Sequence, residues 1–221
     1  MIRAVIFDFD GTLVPLALNF DRMREEIESI AARYVDADEI AELHSLYTLE
    51  FIYTIQTRLN DQGARFRAES FERLCALEVQ AVRGNAPYPY TKNVLTALRE
   101  SGIKIGVISR NCLAAIRTVF PTIEEYVDAI ATRDDTDLVK PNPAHVEVLL
   151  AKLGVKPDET LLVGDHPTDI MAGRAAKART VGVLAGRTGR NSFAEAGADR
   201  VVADIRSLIE ILESDRRKTP H

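Results

Sequence analysis

From about residue 89 onward, five short apolar, β-branched runs recur, and helix-like stretches separate them. The runs are "IKIGVISR", "VDAIATRDD", "ETLLVGDH", "ARTVGVLAG" and "DRVVADI", with "KNVLTALRES" and "AHVEVLLAKLG" among the spacers. Strands that alternate with helices need crossover connections, and crossovers build a parallel sheet. A sixth run, Arg3–Asp8, opens the chain. The stretch from Asp21 to Arg83 shows no strand pattern. Instead "FDRMREEIESIAARYV" and "DEIAELHSLYTLEFIYTIQTRLN" carry helical spacing, with Ile27, Ile30, Ala31 and Tyr34 forming one amphipathic stripe. Asp38 is predicted to cap the second helix, Gly63 to lie just past its end, and a third helix to run over 68–82. Tyr47, Phe51 and Tyr53 are spaced for packing inside this block.

The expected fold class is therefore α/β, a Rossmann-like parallel-sheet core split by an all-helical insertion. Residues 1–14 and 89–221 form the core and 15–88 the insertion, with the breaker-rich "GNAPYPY" as one linker. The chain has 221 residues, 46% hydrophobic and 28% charged, enough for a sizeable core. Its net charge of -5 offers no general attraction to nucleic acid or to an anionic membrane. No apolar run approaches the ~18–20 residues that span a bilayer. An immediate strand after one Arg does not resemble a signal peptide. Cys75 and Cys112 form no CxxC pair and read as buried thiols of a reducing, cytoplasmic protein. The tail "ESDRRKTPH" is polar and expected to fray.

In an open parallel sheet, ligands bind beyond the carboxyl ends of the strands. Polar groups collect there. The first strand ends in Asp8, with Asp10 two residues on. "IGVIS" ends in Ser109, "LLVGD" ends in Asp165 with Asp169 four residues later, and Lys140 lies in the loop "VKPNP". Clustered carboxylates repel one another. A hard divalent cation such as Mg²⁺ relieves that repulsion through oxygen ligands. The site then tolerates a phosphate dianion, one carboxylate can attack phosphorus, and positive groups neutralise the equatorial oxygens.

Four motifs stand in order: "DFDGT" at Asp8–Thr12, "VIS" ending at Ser109, "KP" at Lys140–Pro141 and "GDHPTD" at Gly164–Asp169. Together they resemble the haloacid dehalogenase superfamily on its phosphatase side, similar to phosphoglycolate phosphatase. The resemblance covers nearly the whole chain, because the helical insertion matches that family's cap domain. It implies that Asp8 is the nucleophile and Asp10 the general acid/base, whose backbone carbonyl also binds Mg²⁺. It implies that Ser109 and Lys140 bind the phosphoryl group, and that Asp165 and Asp169 complete the metal site with Asp8 and Asp10. A second aspartate fits phosphate esters, whose alkoxide leaving group needs a proton that a halide does not.

The second motif departs from the frequent "TN": here it reads "SRN". Arg110 either adds charge near the phosphate or faces solvent, and Asn111 supplies the contact of the usual Asn. Both are kept as phosphate-binding candidates. His166 reads as a bystander in the site loop, and "GRTGR" at Gly186–Arg190 as a solvated loop that could also approach an anion. His44 and His145 lie in helical patterns and suggest no metal cluster. The expected partner is a small phosphorylated metabolite, handled by a monomer or homodimer with Mg²⁺. An inorganic pyrophosphatase, a phosphomutase similar to β-phosphoglucomutase, and a non-catalytic phosphate-binding module remain as alternatives.

Overall fold

The computed structural model describes residues 1–186 and 188–217. Arg187 of "GRTGR" and the end of the tail lie outside the described residues. Contacts divide the chain into two compact units: Met1–Leu16 with the chain from Gly84 onward, and Ala17–Arg83.

The first unit holds a six-stranded sheet, β1 (Ala4–Asp8), β2 (Lys104–Ile108), β3 (Ala129–Ala131), β4 (Thr160–Gly164), β5 (Arg179–Val183) and β6 (Arg200–Val202). Each strand falls inside one of the six apolar runs. All pairs are parallel, in the order β3-β2-β1-β4-β5-β6. The helices of this unit are α5 (Thr91–Glu100), α6 (Leu113–Val119), α7 (Pro143–Leu153), α8 (Pro167–Ala175), α9 (Arg190–Ala196) and α10 (Ser207–Arg217), numbered after the four helices of the other unit, which precede them in the chain. One face of the sheet, through Ile6, Ile108 and Leu162, is covered by Val146, Leu149 and Leu153 of α7 and by Ala172 of α8. β1 and β4 are buried at every position, and strands buried on both faces need near-continuous apolar runs. The strand order reverses direction between β1 and β4, so their carboxyl ends flank the crevice where such sheets bind ligands.

The second unit consists of α1 (Phe20–Ala31), α2 (Ala37–Glu42), α3 (Thr48–Arg58) and α4 (Gly63–Ala81). Three expectations are corrected here. The single second helix is two, α2 and α3. Its cap is Asp36, whose carboxylate accepts from Glu39 N at 3.0 Å, not Asp38. Gly63 opens α4 rather than trailing a helix. The break between α2 and α3 frees carbonyls that need partners. Arg24 supplies them, donating to Leu43 O at 2.9 Å and Leu46 O at 2.8 Å, while its guanidinium lies 3.9 Å from the Phe51 ring centroid. That long-range donor favours the break, and helical periodicity alone cannot reveal it. Of the aromatics assigned to packing, Phe51 is fully buried and Tyr53 stacks edge-on against Phe71, but Tyr47 is exposed.

Neither Cys75 nor Cys112 is a free thiol, which corrects the reading of two reduced thiols. Spacing along a chain does not say which sulfurs a fold brings within bonding reach. The cytoplasmic expectation thereby loses its cysteine argument. No described helix is long and apolar enough to cross a membrane.

Candidate active site

β1 is buried throughout and delivers Asp8 at its last position, beside Ile108 of β2. The chain then turns sharply. Gly11 N donates to Val14 O at 2.7 Å, and Phe9 O accepts from Leu13 N at 2.9 Å. Gly11 has φ of 81°, and a Cβ there would lie 2.1 Å from Asp165 Oδ2. Only glycine satisfies both the left-handed backbone and the close approach. On the neighbouring strand, β4 ends at Gly164 and Asp165 follows. A Cβ on Gly186, in the loop after β5, would come within 1.9 Å of the same Asp165 oxygen. Asp165 is thus seated between two glycine backbones. The stretch "GRTGR" therefore reaches the site through its first residue, a placement the solvated-loop reading gave less weight.

Asp169 lies in the first turn of α8. Its Oδ2 accepts from His166 N at 3.0 Å, a reciprocal cap that places a carboxylate at the positive end of the helix. His166 is the N-cap of α8, with Nδ1 2.9 Å from Thr168 Oγ1, so it helps hold Asp169. Lys140 bridges the acidic groups. Its Nζ donates to Asp8 Oδ1 at 2.5 Å and to Asp169 Oδ1 at 2.6 Å, with both oxygens of Asp169 thereby engaged. The ammonium is buried, its side chain 3% exposed.

β2 ends at Ile108, and Ser109 N continues the ladder to Ala131 O at 3.0 Å. The Ser109 hydroxyl accepts from Asn111 N at 3.1 Å, and Asn111 Nδ2 donates to Asp10 Oδ2 at 2.6 Å. Asn111 therefore orients Asp10. Arg110 turns toward the next loop, where its Nη1 donates to Lys140 O at 2.5 Å. His145, fully buried, accepts from Lys140 N through Nδ1 at 3.3 Å. Sequence reasoning passed over this histidine. The available hint was its place just inside the helix that follows "KPNP". The linker "GNAPYPY" is tied to the β1 loop: Asn85 Nδ2 donates to Pro15 O at 2.7 Å and Tyr88 N to Leu13 O at 3.1 Å.

Asp8, Asp165 and Asp169 each offer an oxygen within 4.8 Å of the others. Three buried carboxylates face one ammonium. Burial, joined by the charge of Asp169, pushes the Asp8 carboxyl up to about 6 despite the pull of Lys140. Burial, then Asp8 and Asp169, pushes Asp165 up to about 8. Lys140 is raised by its two carboxylates, which outweigh its own burial. The excess of negative, all-oxygen donors is what a hard divalent cation accommodates, so these residues fit Mg²⁺. One expected outcome follows from the two raised carboxyls. Their folded values lie above the ~3.9 of an unfolded Asp, so the folded chain binds protons that the unfolded chain has released. In EDTA the stability carried by Asp8 and Asp165 is present at low pH and falls as pH rises from about 4 to about 8. Adding MgCl₂ should therefore raise the melting temperature more at pH 8.5 than at pH 5.5. A Mg²⁺ increment independent of pH contradicts this.

Residues 2–177 match the family model of haloacid dehalogenase-like hydrolases. The chain is 28% identical to phosphoglycolate phosphatase of Yersinia pestis, over 94% of this chain and 92% of that protein. It is 26% identical to the pyrophosphatase PpaX of Anoxybacillus flavithermus, over 96% and 97%. CbbY of Rhodobacter sphaeroides, solved in complex with phosphate, superposes with a TM-score of 0.64 at 24% identity, covering 94% of this chain and 96% of that one. That last likeness is one of fold. With its sheet topology and its family-model match over most of its length, the chain belongs to the haloacid dehalogenase-like hydrolases.

Proposed function

We propose that this hydrolase is a Mg²⁺-dependent phosphatase of a small phosphorylated metabolite, similar to phosphoglycolate phosphatase, working through an aspartyl-phosphate on Asp8. The observation that carries the reading is the Lys140 ammonium held between Asp8 and Asp169, with Asp165 beside them. Asp8, Asp165, Asp169 and the backbone carbonyl of Asp10 would hold the cation, which supplies charge neutralisation for the phosphoryl oxygens.

In the first half-reaction an Asp8 oxygen attacks phosphorus, and the bond from phosphorus to the ester oxygen breaks. Asp10 gives its proton to that oxygen, and the alcohol leaves. In the second, Asp10 takes a proton from water as the water attacks phosphorus. The bond between phosphorus and Asp8 breaks, inorganic phosphate leaves, and Asp8 and protonated Asp10 are restored. Lys140 and the Ser109 hydroxyl stabilise the charge that spreads over the equatorial oxygens. Asn111, on Asp10 Oδ2, holds the acid/base in line. In this reading the helical unit is the cap that selects the substrate.

A second reading is a pyrophosphatase, favoured by the full-length similarity to PpaX. One panel separates the two: phosphoglycolate, sugar phosphates, p-nitrophenyl phosphate and pyrophosphate, each with Mg²⁺ and with EDTA. The expected result is Mg²⁺-dependent phosphate release, with kcat/KM highest on a carbon ester. Highest kcat/KM on pyrophosphate selects the second reading. No turnover of any compound contradicts both and leaves the binding module.

A further inference from the structure

A lysine ammonium sits at the end of four rotatable bonds, so its position depends on how firmly its main chain is fixed. Lys140 is fixed from both sides. Its N–H donates to His145 Nδ1 at 3.3 Å, and its C=O accepts from Arg110 Nη1 at 2.5 Å. Each partner is itself held. His145 is fully buried in the first turns of α7, whose N-cap Asn142 accepts from Ala144 N at 3.0 Å. The Arg110 carbonyl accepts from Nη1 of Arg133 at 3.1 Å, and Arg133 is only 1% exposed.

Accepting through Nδ1 requires the neutral ring with its proton on Nε2. Burial, with the charge of Lys140, keeps His145 neutral by lowering it to about 3. The ring therefore stays an acceptor across the whole working range of pH. Arg110 also connects two loops. Its backbone belongs to the turn that presents Ser109 and Asn111, while its side chain grips the loop that presents Lys140. One guanidinium thus ties the hydroxyl and the ammonium into a common frame.

We propose that Arg110 and His145 are positioning residues that clamp the main chain of Lys140, so that its ammonium stays between Asp8 and Asp169. Arg110 then acts through Lys140 and not by direct contact with the phosphoryl group. The kinetic part of this inference rests on the phosphatase reading; the structural part does not.

The test uses the full chain and four variants. Arg110→Met and His145→Leu remove the donor and the acceptor. Arg110→Lys keeps a cationic donor, and His145→Asn keeps an acceptor near the Nδ1 position. The first measurement is the acetylation rate of Lys140 by N-hydroxysuccinimidyl acetate, mapped by mass spectrometry and normalised to the exposed Lys177. Loss of either clamp should speed Lys140 acetylation on the order of tenfold through local opening, and the conservative variants should restore most of the protection. The second measurement is steady-state hydrolysis of p-nitrophenyl phosphate. Arg110→Met and His145→Leu should each lower kcat about 10–100-fold, as residues behind a reacting group do, with KM nearly unchanged and the conservative variants recovering.

Unchanged Lys140 acetylation in folded Arg110→Met overturns the clamp. So does a rise in KM alone for Arg110→Met with His145→Leu silent, the pattern of direct phosphate contact. If His145→Leu does not fold, Arg110→Met carries the test, because its side chain is only half-buried. If the wild type hydrolyses no phosphate ester yet acetylation responds as stated, the phosphatase reading fails and the clamp stands.

Discussion

Asp8→Asn is expected to abolish turnover and to leave the fold in place. The carboxamide is close to isosteric but cannot attack phosphorus, so kcat should fall by about 10⁴-fold or more, as when a nucleophile is removed from a preorganised site. The fold should survive for an electrostatic reason. In the cation-free protein Asp8 is one of three carboxylates around a single ammonium, and burial already disfavours its charge. A neutral side chain relieves repulsion with Asp165 and Asp169, while Lys140 keeps its 2.6 Å bond to Asp169. The melting temperature in EDTA at pH 8 should therefore be equal to that of the wild type or higher. A purified, folded variant that keeps more than a small fraction of wild-type kcat removes Asp8 from the role of nucleophile.

Asp10→Asn should cost about 10²–10⁴-fold in kcat, the usual contribution of a general acid/base. Asn111 Nδ2 donates to Asp10 Oδ2 at 2.6 Å, and an amide oxygen can accept that bond, so the side chain should keep its place. What is lost is the proton. The defect should therefore depend on the leaving group. Where departure limits the rate, it should be large for an alkyl phosphate and smaller for p-nitrophenyl phosphate, whose phenolate leaves without help. With poor base catalysis, attack of water on the aspartyl-phosphate should also slow, and the phosphorylated form should persist. Equal losses for good and poor leaving groups under those conditions contradict the assignment.

The sheet and the chemistry at its edge follow from local sequence for a physical reason. A strand covered on both faces must be apolar along its length, so a carboxylate at its last position stands out. Asp8 after "VIF" and Asp165 after "LLVG" are of this kind. Parallel topology then brings those ends together without further information, since β1 lies between β2 and β4. Contacts made across long sequence separations were not readable. Nothing in "SRN" says that Arg110 reaches the Lys140 carbonyl rather than solvent or a phosphate. Nothing in "AHVEVLL" marks His145 as the acceptor of a loop amide. The division of α2 from α3 depends on Arg24, a residue of α1, taking up the Leu43 and Leu46 carbonyls. The glycine of the β5 loop that seats Asp165 belongs to the same class, because close approach of two backbones leaves no periodic trace.

Covalent capture of the aspartyl-phosphate decides whether Asp8 is the nucleophile. Wild-type protein and Asp10→Asn are mixed with a turned-over phosphate ester and Mg²⁺, quenched in acid within milliseconds to seconds, and digested for peptide mapping by mass spectrometry. A phosphoryl group is expected on the peptide that contains Asp8, located at that residue. It should be transient in the wild type, longer-lived in Asp10→Asn and absent from Asp8→Asn. Hydrolysis by the wild type with no phosphorylated Asp8 in either protein at any time, or with the label on another residue, would contradict the nucleophile role of Asp8.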